Sequence, residues 1–288
     1  MVLLGPDVSH YQSGFNFAQA AAEGMSFAIG KVSQGSGMRD TQWPKTRDQA
    51  RAAGLILAGY HFLDTSSAAA QAANCASWIG DKSIPIALDW ETGGGNFANL
   101  AAVLKAFRTA GLNVRLIYTG AWYWSAVGSP DMTSLGLPVW KSRYPTTTPG
   151  SPSALYAKVP ASYWAGVGGL DTKLLQFTDH AQIAGMQVDC SAFNGTRDEL
   201  AALLGSTPTE DDDMFTDADR AVLNENNRIL RDIWQQLAGP GAEPGEFVGW
   251  EAFPGGSVNP DGTPVKATLV DFGRQADVDL TGLRAPKP

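Results

Sequence analysis

The run Ile84-Pro-Ile-Ala-Leu-Asp-Trp-Glu91 ends an apolar stretch with two carboxylates one residue apart. In an extended strand, residues two apart share a face with Cα atoms about 6.5 Å apart, so Asp89 and Glu91 are predicted on one side and Trp90 on the other. A neighbouring negative charge or loss of water holds one such carboxyl protonated near neutral pH. A carboxylic acid beside a carboxylate is the equipment of glycoside hydrolysis. Asp7 and Asp189 also sit at strand-like runs. Either one alone reads more readily as a turn or cap residue, and it is the combination of four acids that points to catalysis.

The elements that must position these acids follow a regular rhythm. Strands are predicted over residues 2–9, 27–32, 55–62, 84–91 and 114–119, and helices over 17–23, 41–53, 66–79 and 97–110. Gly24, Gly54 and Gly111 close three of the helices. Past Thr119 the rhythm changes. Strand-like runs continue at 137–143, 174–178 and 187–191, separated by Pro, Gly, Ser and Thr, and a last helix over 197–204 ends at Gly205. Eight strands with helices after only the early ones imply an α/β fold, a modified, incomplete barrel. Barrels of this class carry their chemistry where strands run into loops, which is where the four acids lie.

The remainder is a different object. Residues 1–205 hold 14 acidic and 14 basic side chains, so the net charge of −8 lies entirely in residues 206–288. Neither half offers the basic surface that nucleic acid or an anionic polymer would require. The longest apolar stretches are strand-sized, so no membrane span is predicted. Residues 206–213, STPTEDDD, read as a linker. Residues 214–288 read as a C-terminal helix over 216–237 plus a Gly/Pro-rich segment with a strand candidate at 265–272. Thr216 and Asp219 form a capping-box-like start, and Val222, Ile229, Ile233 and Leu237 form an apolar stripe. Asn226 fits the a/d spacing of a short coiled coil. Cys75 and Cys190 lie too far apart for a metal or redox motif and read as two buried thiols.

Several separated motifs carry a family resemblance. Asp7-Val-Ser-His-Tyr-Gln12, Ala58-Gly-Tyr-His-Phe62, the strand ending Asp89-Trp-Glu91, Ile117-Tyr-Thr119, Val139-Trp140, Leu175-Gln176-Phe177 and Val188-Asp189 occur in the order seen in family 25 glycoside hydrolases. The chain resembles these lysozymes of bacteria and their phages over about residues 3–196. The resemblance implies a (β/α)5(β)3 barrel over residues 1–205 that cuts peptidoglycan between N-acetylmuramic acid and N-acetylglucosamine. It implies Glu91 as the general acid, Asp89 beside the substrate acetamido group, and Asp7 and Asp189 completing the acidic cluster. It leaves open whether the acetamido carbonyl or a water attacks the sugar. Lys31, Tyr60, Tyr118, Trp140 and Gln176 are predicted to bind substrate. One departure is visible, because Lys31-Val-Ser-Gln-Gly35 has Gln34 where the family has Glu.

The aromatics Trp122, Tyr123, Trp124, Trp140, Tyr144 and Trp164 suit a cleft rim that stacks on sugars. Trp90 and Trp140 suit the core equally well, and His10 and His61 read as packed structural histidines rather than cleft residues. No cofactor or metal is called for: there is no H-E-x-x-H, no G-x-S-x-G elbow and no phosphate loop. The partner implied is bacterial peptidoglycan. For the tail, a second copy of the chain through the C-terminal helix, wall targeting, and docking on the barrel are all open. The segment Met1 to Asp7 is too short and uncharged for a signal peptide, which implies a cytoplasmic enzyme acting on the wall after release, as a phage endolysin does.

Overall fold

The computed structural model describes residues 2–204 and, beyond them, residues 225, 226, 229, 250, 251, 266 and 267. The chain divides into two units, Met1–Pro208 and Thr209–Pro288. The first is built on nine strands: β1 Val2–Val8, β2 Phe27–Gln34, β3 Met38–Arg39, β4 Ile56–Phe62, β5 Ile86–Asp89, β6 Val114–Gly120, β7 Val139–Ser142, β8 Thr172–Ile183 and β9 Met186–Asn194. All but the two-residue β3 form a closed ring, β1-β2-β4-β5-β6-β7-β8-β9 and back to β1. Neighbours run parallel from β1 round to β8, whereas β9 is antiparallel to both β8 and β1. Helices α1 Phe17–Ala22, α2 Trp43–Ala52, α3 Ala68–Trp78, α4 Phe97–Thr109 and α5 Ala121–Ala126 follow the first five ring strands, as the (β/α)5(β)3 pattern requires. Two further helices are α6 Pro152–Tyr156 and α7 Arg197–Leu204.

The period-2 alternation of the strands sorts side chains into two cores. Leu3, Phe27, Ile29, Ala58, Ala87, Leu116 and Leu174 fill the barrel interior. Ala28, Val32, Leu57, Ile86, Leu88, Ile117 and Leu175 pack outward against Leu100, Val103 and Phe107 of α4 and Trp43 of α2. Trp43 needs glycine beneath it: a Cβ on Gly30 would come within 3.1 Å of its ring and one on Gly59 within 3.2 Å. Helix α7 adds Leu200 and Leu204 to the inner core. It starts at a capping box, in which the Glu199 side chain accepts from Thr196 N at 2.7 Å and Thr196 Oγ1 accepts from Glu199 N at 3.2 Å. At its far end Arg115 donates to the carbonyls of Ala202 and Leu203.

The expected strands at 174–178 and 187–191 prove to be the cores of one long hairpin, β8–β9. Two register shifts between Gln176 and Ala181 bend it, and its outer half buries Ala181, Ile183 and Val188 in the outer core. The connection is a two-residue turn with both residues at positive φ, Ala184 at 50° and Gly185 at 77°. That is the twist a tight hairpin favours, but alanine is a poor residue for it. The short helices α5 and α6 were not apparent in the sequence, because five or six residues are too few to show a helical period.

In the second unit, Glu225, Asn226 and Ile229 are helical and exposed, Ile229 at 41%. Trp250–Glu251 pairs antiparallel with Lys266–Ala267. The rest of the expected linker, helix 216–237 and strand 265–272 lies outside the described residues.

Asparagine tolerates the left-handed region better than alanine, so Ala184→Asn is expected to raise the stability of the first unit by up to about 1 kcal/mol. The denaturation midpoint by circular dichroism measures this, and an unchanged or lower midpoint would show that the turn carries no such strain.

Candidate active site

Each of the eight ring strands sends one inward side chain to the same end of the barrel: Asp7, Lys31, Tyr60, Asp89, Tyr118, Trp140, Gln176 and Asp189, in chain order. Glu91 joins them from just beyond β5. All nine predicted site residues therefore line one cavity of about 280 Å³, together with Val8, Ser9, Tyr11, Gln12 and Phe62. The mouth lies at the C-terminal ends of the parallel strands, and antiparallel β9 reaches it near its start. β5 ends at Asp89, two residues short of the prediction, but the alternation persists: Trp90 N donates to Tyr118 O at 2.9 Å and the indole is buried in the outer core. Trp90 thus belongs to the core and anchors the two acids on its other side. Its Nε1 donates to Gly95 O at 3.0 Å.

Asp7 and Asp189 lie opposite each other in the β1–β9 ladder. Between them stands the amide of Gln176, whose Nε2 donates to Asp7 Oδ1 and Asp189 Oδ2, each at 3.0 Å. Its Oε1 accepts from Tyr118 OH at 2.8 Å and Tyr144 OH at 2.6 Å, so the amide has one satisfied orientation. Burial, and then the charge of Asp189, holds the Asp7 carboxyl well above the usual range. Burial and nearby Asp179 push Asp189 up to about 7. The pair titrates as a unit and retains a proton near neutral pH.

Asp89 and Glu91 form the second pair. Burial raises both, and Glu91 raises Asp89 further, while Lys31 draws both down. Asp89 lies deeper, and burial holds its carboxyl well above the usual range. Lys31 Nζ donates to Gln34 Oε1 at 2.7 Å and lies 5.0 Å from the Phe62 ring centre. Burial lowers its own proton affinity, and the charges of Asp89, Asp40 and Glu91 oppose this. Two buried carboxylate oxygens, Asp7 Oδ2 and Asp89 Oδ1, have no hydrogen-bond partner within the protein. Both belong to cavity-lining residues, where an incoming polar ligand can satisfy them.

The two histidines of the matched motifs, His10 and His61, are structural, as expected. His61 is buried on the outer side of β4. Gln71 Nε2 donates to two carbonyls, so its Oε1 must accept from His61 Nε2–H at 3.1 Å, which leaves His61 Nδ1 to accept from Ser33 Oγ at 2.8 Å. Burial lowers this imidazole to about 4, and it stays neutral. His10 Nδ1 pairs with the buried Asp40 at 2.8 Å. The aromatic rim is thinner than expected. Tyr123 is buried with its OH on Gly95 O, Trp124 donates to Pro130 O, Trp164 packs on the outer core, and Trp140 forms a buried cavity wall with Nε1 on Ser191 Oγ. Only Trp122 of that group is exposed, at 56%. Sequence reasoning missed Tyr11 at the cavity edge and the role of Tyr144 as a Gln176 partner. Neither sits on a strand whose alternation could have marked it. Cys75 and Cys190 are free and buried.

The model of the glycosyl hydrolases family 25 matches residues 6–186, which includes the β1, β2, β4, β5, β6, β7 and β8 contributions to the cavity. Lysozyme M1 of Streptomyces globisporus is 28% identical over 224 residues, covering 70% of this chain and 71% of its own. The N,O-diacetylmuramidase of a Chalaropsis species is 32% identical over 143 residues, covering 42% of this chain and 68% of its own. Among solved structures, the bacterial lysozyme of Streptomyces coelicolor aligns with TM-score 0.56 and 27% identity over 71% of this chain and 98% of that one. The catalytic domain of an endolysin from a bacteriophage of Listeria monocytogenes aligns with TM-score 0.52 and 20% identity over 72% and 98%, a likeness of fold alone. With its family model, its barrel and its ring of inward acids in agreement, the chain belongs to glycosyl hydrolase family 25 and is a glycoside hydrolase of the lysozyme type.

Proposed function

We propose that the protein hydrolyses the β-1,4 bond between N-acetylmuramic acid and N-acetylglucosamine in bacterial peptidoglycan, with Glu91 as the general acid. The observation that carries this is two carboxyl pairs, Asp7 with Asp189 and Asp89 with Glu91, each joining a buried acid to a half-buried one and meeting in one cavity at the barrel mouth. Glu91 is the most accessible of the acids and the nearest to the rim, so a sugar seated over it removes its remaining water and strengthens its hold on a proton. It then donates that proton to the leaving oxygen, while Asp89 beneath it accepts from the acetamido N–H. Tyr60, Tyr118 and Trp140 form the wall against which the sugar rests, Lys31 supplies hydrogen-bond donors, and Gln176, whose amide is already fully bonded, fixes the two acids that face the sugar. The Asp7–Gln176–Asp189 bridge holds the opposite wall and offers Asp7 Oδ2 to a sugar hydroxyl or water.

The setting proposed is that of a phage endolysin, made in the cytoplasm and meeting the wall after release. Residues 1–205 are proposed as the catalytic domain, 206–213 as linker and 214–288 as a tail that pairs with a second copy or targets the wall.

Glu91→Gln keeps shape but has no proton to give. It is expected to lower release of reducing ends from purified peptidoglycan by roughly 10² to 10⁴ with an unchanged circular dichroism spectrum. A variant near the wild-type rate removes Glu91 from the role. Lys31 stabilises the ionised forms of both Glu91 and Asp89. Removing its charge in Lys31→Met therefore raises their affinity for the proton, and the limb of kcat/KM that falls as the acid deprotonates should move to higher pH. A limb that stays in place or moves down would show that Lys31 does not act on the pair. For the tail, light scattering and lysis of intact cells by the full chain and by residues 1–205 decide between the roles. A dimer seen only in the full chain supports pairing, and slower lysis by a monomeric truncation supports targeting. Equal behaviour in both assays excludes the two roles together.

A further inference from the structure

Two large aromatic rings stand out in water on the first unit. Among its described residues, Tyr11 at 80% exposure and Trp122 at 56% are the only large hydrophobics exposed to this degree. Both lie at the barrel mouth, three residues past β1 and two residues past β6. Around the ring β1 and β6 are four strands apart in either direction, through β2, β4 and β5 or through β9, β8 and β7. The two rings therefore follow diametrically opposite strands, and the cavity lies between those strands.

Each ring is held in place. Tyr11 belongs to the 3-10 turn His10–Gln12, locked by a reciprocal capping box between Ser9 and Gln12. It packs on His10 with ring centres 4.1 Å apart, and His10 is tied to buried Asp40 through both its backbone N and its Nδ1. Trp122 lies over Gly120, the last residue of β6, where a Cβ would stand 2.2 Å from the indole nitrogen. It meets Tyr123 edge-on at 5.6 Å, and Tyr123 is pinned to Gly95 O at 2.7 Å. Rings that contribute little burial to the fold, yet are held rigidly, are organised for a ligand with flat apolar faces and polar edges, as pyranose rings have. Eight tilted strands about 4.8 Å apart close a ring on the order of 15 Å across, wider than a single sugar. The acidic cavity between the two positions disfavours an anionic lipid surface as the occupant.

Building on the reading as a glycan hydrolase, we propose that Tyr11 and Trp122 are the two ends of one glycan-binding line across the barrel mouth, each stacking on a sugar, with the acids beneath the middle. The enzyme then grips a polymer from both sides of the bond it cuts. Lys31, Tyr60 and Glu91 flank the line on one side, Gln176 and Asp189 on the other.

The test uses the full chain on long glycan strands freed of their peptide cross-links. Tyr11→Ala and Trp122→Ala are each expected to lower kcat/KM roughly tenfold, raising KM more than they lower kcat. The sites are far apart, so the double variant should lose about the product of the two. Tyr11→Phe and Trp122→Phe keep a ring and should recover most of the loss, and thermal unfolding should not move in any variant. Wild-type KM in either alanine variant, or a loss carried wholly by kcat, overturns the two-ended line. Wild-type protein that leaves the strands uncut overturns instead the hydrolase reading on which the line rests.

Discussion

Closure of the barrel through β9 is the constraint on which the site depends. Seven strands run the same way, and the eighth returns antiparallel to complete the ring and satisfy the edges of β8 and β1. That pairing sets Asp7 directly against Asp189, two like charges in a buried ladder position, which would repel if both were ionised. The Gln176 amide and a retained proton are what make the closure tolerable. Gln176 can serve both acids only because Tyr118 and Tyr144 hold its oxygen. A single amide thus ties the seam of the fold to the electrostatics of the cavity.

The same economy appears across the mouth. A narrow barrel admits one inward side chain per strand at each level, so eight strands supply eight cavity residues with no loop required. Below this level the inward residues are mostly apolar, with Ser191 bonded to Trp140, and they give the acids a largely dry floor. Burial therefore appears first among the causes that raise each of the four carboxyls. Lys31 opposes it for Asp89 and Glu91, and it does so while bonded to a neutral Gln34, so its charge is not spent on a local carboxylate partner. Unpartnered buried oxygens on Asp7 and Asp89 destabilise the folded protein, and such a cost is characteristic of sites kept ready for a ligand.

The fold and the acids were legible in the sequence for one reason, the strict period of the strand. Once 84–91 was read as extended, Asp89 and Glu91 had to share a face opposite Trp90, and the eight strand positions followed the same alternation. The family motifs fell on inward positions for that reason. What the sequence by itself determined is thus the type and order of the strands, the helices after β1, β2, β4 and β5, and which side chains look into the barrel. Only the tertiary structure decided the rest. The pairing of Asp7 with Asp189 needs residues more than 180 positions apart, and the bridging by Gln176 needs three strands brought together. The continuation of β8 and β9 to a turn at Ala184 ran against local preference, and packing of Ala181, Ile183 and Val188 decided it. Which tryptophans are wall, core or rim depends on the neighbours each one meets. Trp90, Trp122 and Trp140 are alike in sequence yet meet, respectively, the helices, the water and the interior of the barrel.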